Sequence, residues 1–156
     1  MFDSHYRHRK PQKEENMKLE LDEKLCKDFP ILYRNRHASM QISCMHWGFD
    51  IGDGWEPIIR EASEKLEKIA AAMPDDENRM IAAQVKEKFG VMRLYVDCYP
   101  ADETLYEEVK KIVDEAEAKT EVTCETCGQE GSSREHHRWY VTLCESCFEG
   151  YKKDRP

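Results

Sequence analysis

The chain has 156 residues, 40% of them hydrophobic and 36% charged, with a formal net charge of −8. That length accommodates one compact domain with at most a small appendage, and the acidic balance excludes a molecule that attracts nucleic acid over its whole surface. No apolar run approaches the roughly 18 residues of a membrane span; the longest covers residues 69–73. The N-terminus lacks the apolar core of a signal peptide. Seven cysteines in such a chain suit a reducing compartment, so a cytoplasmic location is expected, with Cys26, Cys44 and Cys98 as free thiols.

Residues 1–16 are polar, with four Lys/Arg against three Asp/Glu, and read as a disordered tail. Met17 is a candidate alternative start, and an α+β domain is expected over residues 17–120. Leu19, Leu21, Leu25 and Cys26 give a short amphipathic helix that Pro30 stops. The basic cluster at residues 33–37 reads as a solvated loop.

Trp55, Ile58, Ile59, Ala62, Leu66, Ile69, Ala70 and Met73 recur at helical steps, which predicts a helix of about four to five turns. Asp53 and Glu56 resemble a capping box, with Pro57 tolerated in the first turn. The loop before this helix holds Gly48, Gly52 and Gly54 beside Trp47, Phe49 and Trp55. The tryptophans are expected to pack beneath a sheet.

Residues 80–99 alternate as a β-hairpin turning at Gly90, with Lys86, Lys88, Arg93 and Tyr95 on the solvent side. Lys86 and Arg93 are candidate partner-binding residues there, against the plainer reading of an ordinary solvated face. Pro100 and Ala101 break the strand, and Asp102 caps a second helix running to Lys119. Leu105, Val109, Ile112, Val113 and Ala116 form its apolar stripe, while seven Asp/Glu and three Lys make the outer side acidic. The expected fold class is α+β: two amphipathic helices against a small antiparallel sheet, then a C-terminal four-cysteine ribbon over residues 121–156.

That ribbon is the strongest signal in the chain. Cys124 and Cys127 form one C-x2-C pair and Cys144 and Cys147 another, 16 residues apart. Two thiolates from each turn can occupy the four corners of a tetrahedral zinc site. Gly128 tolerates the positive φ that such a turn requires. Two disulfides or a redox pair are the competing readings, but no βαβ unit accompanies either C-x2-C. Four thiolates leave no place for a substrate water, so one structural Zn2+ is expected. His136 and His137 then lie at an exposed hairpin tip, followed by a return strand over residues 138–143 and a terminal turn holding Cys147, Phe148 and Tyr151.

Three segments together carry a resemblance: residues 48–55 with their GDGW string; QVKEKFG at 84–90 with Arg93 and Tyr95; and the cysteine ribbon with Trp139. The combination resembles small phage- and prophage-encoded zinc-ribbon proteins of unassigned function, over roughly residues 24–148. Val91-Met92 and Asp50-Ile51 depart from that pattern, which weakens any role for cysteine chemistry in the GDGW loop. The resemblance implies a phage setting, in a bacterial host cytoplasm.

Three functions compete. The first is a non-enzymatic accessory protein that binds and modulates or inhibits a host protein, such as a defence or nucleic-acid machine, an anti-CRISPR-like role included. Arg138, Trp139 and Tyr140 are its candidate contact residues, since aromatic and arginine side chains often anchor interfaces. The second is a nucleic-acid-binding ribbon that uses Arg134, His136, His137, Arg138, Trp139 and Tyr140 to hold phosphates and stack bases. The third is a hydrolase built on His46 with Asp50 or Asp53.

Overall fold

The computed structural model describes residues 16–99 and 102–156. Helix α1 (Leu19–Asp28) leads through a turn-rich segment and the 3-10 turn Cys44–Trp47 to strand β1 (Phe49–Asp50). A second 3-10 turn (Asp53–Trp55) opens α2 (Glu56–Ala72), followed by β2 (Ile81–Lys88), β3 (Val91–Asp97) and α3 (Glu103–Thr120). The hairpin β4 (Ser132–His136) and β5 (Trp139–Leu143) and helix α4 (Glu145–Asp154) complete the order. The architecture is α+β, with sheets β1-β2-β3 and β4-β5. The predicted β2–β3 hairpin is antiparallel, and β1 adds to it in parallel, making the larger sheet mixed. The predicted tail, apart from Asn16, lies outside the described residues, as do Pro100 and Ala101.

Helix α2 forms the floor of the core. Ile59, Ala62, Leu66 and Ala70 are buried along it at three- and four-residue steps, the stripe that one face of a helix presents. They join Val85, Met92 and Leu94 from the sheet, and Leu25, Phe49, Ile51 and Trp55, in one apolar cluster. Trp55 is fully buried as expected, whereas Trp47 is 52% exposed and lies outside that cluster.

Two capping expectations came out differently. Asp102 caps α3, its carboxylate accepting the Thr104 N–H at 2.9 Å. Asp53 does not cap α2: the N-cap residue is Trp55, without a side-chain cap. The intervening 3-10 turn moves Asp53 away from that position, and its carboxylate accepts the Lys18 backbone N–H at 2.9 Å instead. Asp53 thereby ties the entry of α1 to the GDGW loop.

Strand β3 is an edge strand, and its open side is covered. Thr120 Oγ1 accepts the Met92 N–H at 3.1 Å, and the Glu117 carboxylate accepts the Leu94 N–H at 3.1 Å while pairing with Arg93 at 2.8 Å. Side chains at the end of α3 thus satisfy main-chain donors that an edge would leave for another chain. The β2–β3 turn is Phe89 (φ 56°) and Gly90 (φ 78°). Two positive φ values make the mirror-image turn that matches strand twist, so Phe89, expected at the end of the strand alternation, is a turn residue.

Residues 33–37 are the larger correction. Tyr33 is 2% exposed, with its hydroxyl 2.6 Å from Ser63 Oγ. Arg34 donates to the carbonyls of Ile31, Met80 and Arg79, and Arg36 grips Asp22 through two nitrogens at 2.9 and 3.0 Å. The chain turns back against α1 here, and the guanidinium groups satisfy carbonyls that regular structure leaves without partners.

The Arg36 and Asp22 side chains are only 15% and 8% exposed, so removing one partner strands a buried charge. Arg36→Met should cost about 3 kcal/mol in urea unfolding, with the double variant Asp22→Leu/Arg36→Met recovering most of it. A loss below about 1 kcal/mol in the single variant would show that Asp22 reaches water.

Candidate metal centre

Each cysteine pair sits on a different kind of turn. The first lies on a loop closed by the Gly128 N–H donating to the Cys124 carbonyl at 2.9 Å, with Gly128 at φ 77° as its position demands. The second lies at the start of α4, where Cys144 is the N-cap residue and Cys147 falls in the first turn. The β4–β5 hairpin spans the interval and returns the second pair to the first, its five rungs running from Ser132–Leu143 to His136–Trp139. All four Sγ atoms lie within 4.8 Å of one another, and Cys127 and Cys144 are 3.7 Å apart.

Four thiolates at about 2.3 Å from a tetrahedral metal would stand about 3.8 Å from each other. The sulfur cluster therefore fits a single metal ion, held by all four cysteines. Cys124 is fully buried and Cys127 exposed, the other two lying between. The Ser146 hydroxyl and then the Cys147 backbone N–H lower the Cys144 thiol to about 6. Burial, then the neighbouring sulfurs, pushes Cys147 up instead. The Ser146 and Cys147 donors favour the anionic form of the Cys144 sulfur, the form that a metal takes. The remaining thiols differ in kind. Burial, then the Asp22 charge, drives Cys26 up to about 12, and burial raises Cys98.

The first cysteine turn is seated on the GDGW loop. Gly54 donates its N–H to the Glu125 carbonyl at 2.8 Å, Gly52 donates to the Glu125 carboxylate at 3.1 Å, and the Trp55 indole donates to the Thr123 carbonyl at 2.7 Å. A Cβ on Gly54 would lie 2.2 Å from the Cys124 carbonyl oxygen, so the two backbones touch where only glycine fits. Glu125, 7% exposed, is a residue that sequence reasoning missed. A pair of glycines flanking one aspartate was the only available signal for its seat.

A second contact joins β5 to the larger sheet. Thr142 Oγ1 donates to the Gly90 carbonyl at 2.6 Å, and the Glu125 N–H donates to the Thr142 carbonyl at 2.9 Å. Val141 and Leu143 are buried with Cys124 in a small cluster against Phe148 and Tyr151.

The other candidate residues are dispersed. Trp139 and Tyr140 are 41% and 46% exposed at the start of β5, and Arg138 occupies the hairpin turn at φ 68° beside His137 at φ 51°. Lys86 and Arg93 face each other across β2 and β3; Lys86 lies over the Tyr95 ring, and Arg93 is held by Glu117. His136 is not at a free tip: its Nε2 bonds to the Arg155 carbonyl at 2.6 Å. Arg134 is likewise committed, donating to the Leu143 carbonyl and to Glu145. The proposed hydrolytic set is spread over separate tasks. His46 Nδ1 donates to the Ala38 carbonyl, Asp53 holds Lys18, and Asp50 stands opposite Lys86 in the sheet register.

No protein-family model matches the chain, and no curated protein or solved structure matches it. No helix among the described residues is long and apolar enough to cross a membrane.

Gly54→Ala should therefore lower stability by roughly 2 kcal/mol, the cost of forcing extra volume into a closed contact, and expose the first cysteine turn to protease. Trp55 fluorescence and proteolysis after Thr123 would report it; an undisturbed emission spectrum and cleavage pattern would show that the loop gives way without undocking.

Proposed function

We propose that the four cysteines bind one structural zinc ion, and that the chain is a non-enzymatic phage-type accessory protein that binds and modulates a host protein. Zinc suits the donors: it accepts four thiolates in a tetrahedron, and a closed all-sulfur shell fixes structure and offers no open position for a reacting water. The phage setting and the cytoplasmic location rest on the sequence resemblance and on the free thiols.

One observation carries the partner-binding reading: large aromatic side chains remain in solvent around the metal module. Phe89 is 71% exposed, Tyr140 46% and Trp139 41%. Tyr140 and Thr142 share one side of β5 by strand alternation, and Thr142 binds Gly90, the neighbour of Phe89. Tyr140 thus lies on the side of β5 that meets the turn beside Phe89, while Trp139 faces the other side of the strand. Exposed Tyr and Trp side chains beside a metal-held hairpin are the kind of group that anchors interfaces. Inhibition of a host defence or nucleic-acid machine is the sharpest form of this reading.

The nucleic-acid alternative has less support, because Arg134 and His136 are held internally and the chain is acidic. Binding through Arg138 would still show itself by a steep loss with salt.

The metal is tested first. Cys124→Ser and Cys144→Ser should each reduce zinc below one per chain by elemental analysis and destabilise the C-terminal part; full zinc content in both variants would reject the site. For the partner, affinity purification from a nuclease-treated bacterial lysate should retain one stoichiometric host protein. Trp139→Ala/Tyr140→Ala should release it with zinc content unchanged. Nucleic acid that elutes with salt would install the alternative, and equal retention by the double variant would move the contact elsewhere.

A further inference from the structure

The four clustered sulfurs differ in what solvent can reach. Cys124 is fully buried and its main chain is closed on both sides: its N–H donates to the Gln129 carbonyl at 2.7 Å, and its carbonyl accepts the Gly128 N–H at 2.9 Å against Gly54. Cys127 is the exposed member, while Cys144 and Cys147 are half-buried. The Cys127 and Cys144 Sγ atoms lie 3.7 Å apart. Cys144 stands at the N-cap of α4, with the Ser146 hydroxyl 3.4 Å from its sulfur. A soluble oxidant therefore meets Cys127 first and finds the Cys144 sulfur beside it. The two residues belong to different turns, with the β4–β5 hairpin between them in the chain. A bond joining them closes the base of that hairpin and leaves the Cys124 main chain seated on the GDGW loop. A Cys124–Cys127 bond would instead act on the turn that Gly54 locks.

We propose that Cys127 and Cys144 form a peroxide-sensitive pair whose oxidation to a disulfide releases the bound metal. The release rests on the zinc reading above; the pairing of the two sulfurs does not. Held by a metal, both sulfurs are thiolates, the form that attacks a peroxide. The Cys127 sulfur attacks one peroxide oxygen: an S–O bond forms, the O–O bond breaks, and the departing hydroxide takes a proton to become water. The Cys144 sulfur then attacks the sulfenic sulfur of Cys127. An S–S bond forms, and the sulfenic oxygen leaves as hydroxide and is protonated to a second water. The two sulfurs together give up two electrons, and hydrogen peroxide is the group reduced. Cys124 and Cys147 alone cannot close a tetrahedral shell, so the ion passes to solvent. The oxidised chain ties the hairpin base through a covalent bond where the reduced chain ties it through the metal, and a dithiol reverses the exchange.

The test uses the full chain carrying Cys44→Ser, which removes an exposed thiol outside the cluster, loaded with zinc and treated with hydrogen peroxide. One zinc per chain should pass to a chromogenic chelator as two thiols are lost, and peptide mass mapping should join Cys127 to Cys144. The far-ultraviolet spectrum should be retained, and dithiothreitol with added zinc should restore the starting metal content. Zinc that stays bound throughout peroxide treatment would overturn the proposal, as would a Cys144–Cys147 or Cys124–Cys127 bond in place of the expected one. A chain that carries no zinc at the outset would reject the metal reading alone. Treated in the same way, that metal-free chain supports the pair if the Cys127–Cys144 bond forms and overturns it if the bond does not.

Discussion

The contact between the GDGW loop and the first cysteine turn holds this molecule together. It is a backbone-to-backbone contact: Gly54 lies so close to Cys124 that a single methyl group would overlap its carbonyl oxygen. The loop N–H groups that would otherwise be buried without partners are spent on Glu125, through its carbonyl and its carboxylate. Because the pairing is mutual, the loop has one conformation when the cysteine turn is seated, and the cysteine turn has one place to sit. Trp55 links this contact to the rest of the fold. Its indole N–H reaches Thr123 while its ring is buried in the main core. Order in the sulfur cluster and order in the core are therefore coupled through one side chain.

That coupling explains how a small C-terminal module keeps its shape. Its own buried apolar cluster comprises Cys124, Val141 and Leu143, far less than a free-standing fold needs. Three supports make up the difference: the sulfur cluster, the GDGW seat, and the Thr142–Gly90 bond to the larger sheet. Helix α3 contributes from the opposite direction. Its last turn covers the edge of β3 through Glu117 and Thr120 and then delivers the chain into the first cysteine pair. A metal-induced ordering of the sulfurs would be felt at the sheet edge through this short route.

What could be read in the sequence followed from periodicity and ligand chemistry. The stripes of α2 and α3, the alternation of β2 and β3, the Asp102 cap and the convergence of four cysteines each depend on residues close in sequence or on a spacing with one physical meaning. What could not be read were choices made by distant partners. Asp53 and Glu56 have the spacing of a capping box, but a Lys18 N–H 35 positions away took the carboxylate. Residues 33–37 look like a solvated basic run, yet Asp22 and the carbonyls of Arg79 and Met80 draw their guanidinium groups inward. Glu125 carried no signal of its own, because its role depends on where two glycines seventy residues earlier are placed. Phe89 was misread for a local reason: β-propensity favoured a strand, and the twist of the hairpin required a turn with positive φ.

The distribution of charge gives the surface its logic. Ten of the 32 acidic residues lie on α2 and α3, where i, i+4 pairs such as Glu61–Lys65 and Lys110–Asp114 partly neutralise them. Such exposed pairs contribute little to stability, and their effect is to keep other acidic surfaces at a distance. Two sets of exposed apolar side chains interrupt that field, Phe89 and Tyr140 near the sheet junction and Met40 and Ile42 on the loop between Ala38 and His46. They belong to different elements, one beside the sulfur cluster and one beside the Asp22–Arg36 pair, so a substitution in either leaves the other's support in place.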